Sequence, residues 1–164
     1  RVFDVRVSPS PSWLRDRLEL AGQRSINNIV DLSNYVMLEM GQPTHAFDLV
    51  KLRGGLLKAR MAVRGEVVKT LDEVERALAA AMGVVADAQG ALAIAGIMGG
   101  ASSEISDDTR TVALEAAYWN PLLIRRAANG DRAAAGIAGC IAAHGVGDRA
   151  VARAGRARGD GDPG

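Results

Sequence analysis

Two hydrophobic periods divide this chain, and the border between them is the stretch Gly41 to Leu49, which carries His45. Before it, apolar residues recur at helical spacing. After it, apolar runs are short and separated by Gly, Asp or charged residues, which is the pattern of a sheet. Pro43 lacks an N–H and fixes its own φ, so a helix cannot continue through it.

The elements follow in order. Val2, Phe3, Val5 and Val7 alternate with Asp4 and Arg6, which predicts a strand over 1–7. Ser10 followed by Pro11 predicts a capped helix start, with Trp13, Leu14, Leu18 and Ala21 on one face and Gly22 as its stop. A second helix is expected from Ser25 to just before Gly41, with Ile26, Ile29, Val30, Val36, Met37 and Met40 apolar. Its first half is rich in Asn27, Asn28, Asp31, Ser33 and Asn34, which compete with the backbone for hydrogen bonds. They read either as an irregular, capped entry or as the polar lining of a pocket. Strands are then expected at 56–62, 66–71, 83–87, 92–98 and 111–116, with a tight turn at Arg64-Gly65-Glu66. Asp72-Glu73 stands where Asp-Gly would turn a hairpin more comfortably. Asn120-Pro121 should cap a last helix over 122–128.

Bulk properties exclude several function classes. Aromatic residues make up 4%, so the core must come from Val, Leu, Ile, Ala and Met. A net charge of +1 carries no global signature of nucleic acid or membrane binding. The single Cys140 excludes an internal disulfide framework and a multi-cysteine zinc site. It fits a reducing, cytoplasmic setting. His45 and His144 lie far apart in sequence, and no paired-histidine or paired-cysteine motif accompanies them, so no metal site is expected. No apolar run approaches the roughly 20 residues of a membrane span. The chain opens on Arg1 rather than Met and reads as a piece of a longer polypeptide.

Three features could carry chemistry. Thr44 and His45 are expected on a loop fed by a helix end, a common placement for a reactive histidine; the plainer reading is a surface histidine. Ala95-Gly96-Ile97-Met98-Gly99-Gly100 follows an apolar strand and could bring backbone close to a ligand, or simply turn the chain. It is neither a dinucleotide nor a P-loop pattern. Glu115 is a carboxylate inside an apolar strand, costly to bury unless it is paired or used, unless it points to solvent.

Taken together, long motifs in a fixed order narrow these choices. Ser25-Ile26-Asn27-Asn28-Ile29-Val30-Asp31 runs on through Gly41-Gln42-Pro43-Thr44-His45-Ala46-Phe47-Asp48. Leu71-Asp72 with Val74-Glu75, Val85-Ala86-Asp87, Ala93 to Gly100, Leu114-Glu115-Ala116-Ala117 and Asn120-Pro121 with Ile124-Arg125-Arg126 follow. Over about 1–128 the chain resembles the B3/B4 editing region of the bacterial phenylalanyl-tRNA synthetase β subunit.

That resemblance implies an α+β fold, a layered β-sandwich with helices packed on one side, which hydrolyses tyrosine wrongly attached to phenylalanine tRNA. It makes His45 the editing-site histidine, as a base or as a group that orients water. It makes Glu115 the carboxylate that recognises the tyrosine hydroxyl. Ser33 and Asn34 line the pocket, and Gly96 and Gly99 form its wall. The implied partners are the acceptor end of tRNA(Phe) and, through the full β subunit, the synthetase α subunit. No cofactor is implied for the domain itself; ATP and Mg2+ belong to the synthetase complex.

Two departures stand out. Asp72-Glu73 replaces the family's Asp-Gly. After Arg126 the expected Gly-Leu-x-Thr-x-Ala-Ser segment, which also lines the pocket, is missing. Residues 130–164 instead hold 10 Ala, 9 Gly, 5 Arg and 4 Asp, too little apolar area to offset the entropy of ordering. Residues 129–164 therefore read as a disordered tail or the product of a reading-frame shift. A non-catalytic module that binds tRNA or a partner, and an inactive truncated product, stand as alternatives to an editing domain.

Overall fold

The computed structural model describes residues 1–130 and shows an α+β fold built in layers. Among these residues the helices are α1 (Ser12–Leu20), α2 (Asn28–Met40) and α3 (Pro121–Gly130). The strands are β1 (Val2–Phe3), β2 (Thr44–Asp48), β3 (Lys58–Met61), β4 (Val67–Lys69), β5 (Glu75–Ala77), β6 (Gly83–Ala86), β7 (Ala91–Ile94), β8 (Met98–Gly99) and β9 (Thr111–Ala116). They form an antiparallel sheet in the order β1-β9-β2, a second in the order β3-β6-β7-β8, and the hairpin β4-β5. The expectation for residues 129–164 lies outside the described residues, apart from the last two of α3.

Side-chain alternation along the strands explains the layering. Phe47 of β2 and Ala113 of β9 pack against Val85, Leu92 and Ala93 of the four-stranded sheet. Val84, Ala86 and Ile94 point the other way, toward Val68, Leu78 and the Ile124, Ala127 and Ala128 face of α3. On the outer side of the three-stranded sheet, Ala46 and Val112 meet Ile105 and, from α2, Ile29 and Val30. The four-stranded sheet is thus covered on both faces, and its inner strands β6 and β7 read as continuous apolar runs for that reason.

The helix starts differ from the sequence expectation for a shared reason. Ser10 does not cap α1, and Ser25 does not open α2. Both hydroxyls donate to the fully buried carboxylate of Asp31, which also accepts from the Ile26 N–H at 2.8 Å. Asn27 is the cap of α2, accepting from the Ile29 and Val30 N–H groups. Asn28 ties back to the Arg6 carbonyl and the Ser8 N–H. Most of the polar first half of α2 is therefore capping and cross-linking. Gly41, at φ 70°, closes the helix.

The first strand is shorter than its alternation suggests. Asp4 turns the backbone to φ 57° and ends β1 after Phe3. The 92–98 run splits at Gly96, φ 66°, into β7 and β8. Glu73 takes up the left-handed conformation, φ 64°, that a glycine would adopt in the β4-β5 hairpin. The Arg64-Gly65 turn forms as expected, with Gly65 at φ 83°. A bidentate pair, Arg60 with Glu66 at 2.6 and 2.8 Å, braces it, and Glu66 also accepts from the Val63 and Ala91 N–H groups.

Candidate active site

His45 lies on a strand, not on a loop. The chain leaves Pro43 directly into β2, whose register with β9 sets His45 opposite Glu115 and Phe47 opposite Ala113. Directly opposed residues of an antiparallel pair share one face. Phe47 and Ala113 face the four-stranded sheet, and His45 and Glu115 therefore do so too. The His45 ring stands edge-on to Phe47, with centroids 4.5 Å apart and planes at 83°. Gly99 of β8 covers it so closely that a Cβ there would lie 2.5 Å from His45 Cε1 and 2.6 Å from Nε2.

The surroundings shift both titrations. Burial lowers the His45 pKa from its ordinary 6.5, so the imidazole is neutral at pH 7 and can accept a hydrogen bond. Burial raises the Glu115 pKa, and a hydrogen bond from the Trp119 indole, 3.3 Å to Oε1, opposes that rise. Two strands thus place a neutral imidazole and a half-buried carboxylate side by side under a glycine wall.

The remaining sequence candidates reach this pair indirectly. Ser33 is buried on α2, and its hydroxyl holds the Thr44 carbonyl at 2.9 Å and the Thr44 hydroxyl at 2.7 Å. Thr44 alternates with His45, so Ser33 grips the far face of β2 and fixes the strand next to the histidine. Asn34 is half-buried and makes no side-chain hydrogen bond among the described residues. Gly96 lies beside Trp119 and Ile124, where a Cβ would come within 3.1 Å of the indole and 2.9 Å of Ile124 Cδ1. Gly99 belongs to His45, whereas Gly96 belongs to the aromatic ring that touches Glu115.

Trp119 escapes the sequence reading, and Leu71 enters it only as part of a motif. Trp119 lies beyond the end of β9, and no motif marks it as a partner of Glu115. Leu71 comes from the β4-β5 turn and approaches the same spot above Gly99 that the His45 ring occupies. An apolar cavity of about 280 Å³ opens on the other side of Trp119, lined by Ala59, Met61, Gly83, Leu123 and Ile124 among others. Neither His45 nor Glu115 lines it. Among the described residues no group of His, Cys, Asp or Glu is arranged to hold a metal ion, and no helix is long and apolar enough to cross a membrane.

Comparison with known proteins adds a family match. The model of the B3/4 domain matches residues 2–132. Phenylalanine–tRNA ligase β subunits are similar over the same stretch. That of Carboxydothermus hydrogenoformans is 54% identical over 127 residues, covering 77% of this chain and 16% of its own length. That of Nocardia farcinica is 57% identical over 119 residues, 73% of this chain and 14% of its own length. That of Halalkalibacterium halodurans is 50% identical over 126 residues, again 77% and 16%. The chain spans about one sixth of the length of these relatives.

Proposed function

Because this chain belongs to the B3/4 domain family and corresponds to that part of the phenylalanine–tRNA ligase β subunit, we propose that its site hydrolyses tyrosine esterified to tRNA(Phe). The observation that carries this reading is the cross-strand pair His45–Glu115, a neutral imidazole beside a half-buried carboxylate.

A synthetic pocket built for phenylalanine cannot strongly reject an analogue that adds one hydroxyl. A second pocket can select for that hydroxyl. Glu115 accepts a hydrogen bond from the phenol of tyrosine. When phenylalanine enters, the carboxylate loses water without gaining a donor, at about 1–3 kcal/mol, or roughly 5- to 150-fold in selection. His45 accepts a hydrogen bond from the attacking water. The water oxygen bonds to the ester carbonyl carbon, the ester C–O bond breaks, and the proton ends on the departing ribose oxygen. Free tyrosine and intact tRNA are the products.

The partner of this site is the acceptor end of tRNA(Phe). In a longer β subunit the α subunit joins it, and ATP and Mg2+ serve the separate ligation reaction. The test is hydrolysis of Tyr-tRNA(Phe) and Phe-tRNA(Phe) by this chain and by His45→Ala. Loss of Tyr-tRNA hydrolysis in the variant supports the reading. Equal rates for the two proteins, or no hydrolysis by the unmutated chain, count against it.

A further inference from the structure

Glu115 is only half satisfied. Its Oε1 accepts from the Trp119 indole at 3.3 Å, and among the described residues Oε2 accepts nothing. Trp119 itself is fixed by other contacts. Its ring packs against both cores that flank the four-stranded sheet. It sits against the Gly96 turn, where a Cβ would lie 3.1 Å from the indole Cδ1, and Ile124 of α3 closes the same spot. The donor is held by packing, while the acceptor ends a flexible side chain.

We propose that Trp119 is a positioning residue for Glu115: its indole N–H tethers one carboxylate oxygen and leaves the other turned to the substrate hydroxyl. This rests on the editing reading for the identity of the substrate, and the tether itself does not depend on it. A carboxylate free to rotate would spread its lone pairs over several directions. A tethered one offers a single acceptor at a set place, which is how a site gains selection from a supporting contact. Trp119 also bears on protonation, because a neutral N–H donor favours the ionised carboxylate against the burial that opposes it. The titratable group facing Glu115 from β2 is His45. Strands β7 and β8 and the Gly96 turn between them bring none. Arg125 and Arg126 of α3 are exposed and form no ion pair with it among the described residues.

The chain has two tryptophans, so two indole N–H signals appear in an 15N-labelled sample. The Trp119 signal is expected to move with pH as Glu115 ionises, with a midpoint above the usual carboxylate range, and to lose that movement in Glu115→Gln. The Trp13 signal serves as the internal control. In Trp119→Phe, which keeps the ring and removes the donor, the Glu115 carboxylate should titrate at still higher pH. The preference for Tyr-tRNA over Phe-tRNA should then fall by about five- to tenfold, the worth of one hydrogen bond. A Trp119 signal indifferent to Glu115→Gln in the folded chain overturns the tether, whatever the hydrolysis assay gives. A chain that shows the coupled titration and hydrolyses neither substrate supports the tether and refutes the editing reading.

Discussion

Replacing Gly99 by alanine is a one-atom probe of the His45 site. Gly99 does not lie in the left-handed region, so its backbone accepts an alanine without strain. The whole effect comes from the new methyl group. It would lie 2.5 and 2.6 Å from two ring atoms of His45 and 3.1 Å from Leu71 Cδ1. Carbon contacts are comfortable at about 3.5–4.0 Å, so the imidazole must retreat by about 1 Å. Phe47 stands behind the ring and Glu115 beside it, which leaves a change of rotamer as the way out. Losing the edge-on contact and leaving a preferred χ1 each cost about 0.5–1.5 kcal/mol. The fold should therefore survive with about 1–3 kcal/mol less stability. A 1 Å displacement of a reacting group can cost on the order of a hundredfold in rate. The assay pairs Tyr-tRNA hydrolysis with proton NMR of the histidine Cε1–H signals, of which there are two, from His45 and His144. Expected are a large loss of rate and a His45 pKa that climbs back toward 6.5 as the ring leaves its buried place. An alanine variant with both unchanged would refute the close packing of Gly99 on His45.

Four further outcomes follow from named contacts. Glu115→Ala should weaken discrimination between Tyr-tRNA and Phe-tRNA more than it slows hydrolysis, read as the ratio of kcat/KM values; an unchanged ratio removes Glu115 from selection. Gly100→Ala sets a methyl group against the Leu92 carbonyl, which is backbone and cannot yield, so Tm should fall by roughly 5–15 °C. Asp31→Ala strips two hydroxyls and one N–H of their shared acceptor, for a loss of about 2–4 kcal/mol in urea denaturation. Glu66, held down to about 2 by its hydrogen bonds with Arg60, stabilises the fold above its unfolded pKa near 4.5, and that gain disappears as pH falls toward 2; Glu66→Gln should flatten this part of the stability profile.

What could be read from the sequence depended on whether the signal was local. The helix stop at Gly41, the Gly65 turn and the Asn120 cap each rest on residues that act on their own backbone, and they stand where expected. Asp31 could not be read this way, because its partners Ser10 and Ser25 come from segments brought together by folding. For the same reason Ser10 and Ser25 look like caps in sequence and are not. His45 looked like a loop residue because glycine and proline precede it, but its pairing with β9, about seventy residues on, draws it into a sheet. Motif order brought His45 and Glu115 to notice, and the register sets them on one face. Trp119 left no trace, since a hydrogen bond across four residues beyond a strand end has no periodic signature.

The ladder between β2 and β9 also limits how the site can vary between relatives. The two strands alternate their side chains, so a slip of one residue in β2 would turn His45 toward α2 and bring Thr44 or Ala46 to face Glu115. A single-residue insertion between Gly41 and Thr44 is therefore far more damaging than a longer one in a solvent-facing turn. β9 is also the central strand, with β1 on its other edge, so it cannot shift to compensate without breaking a second pairing. Length changes should be found in the exposed turns at Arg64-Gly65 and Gln89-Gly90, and not in the three residues that lead into β2.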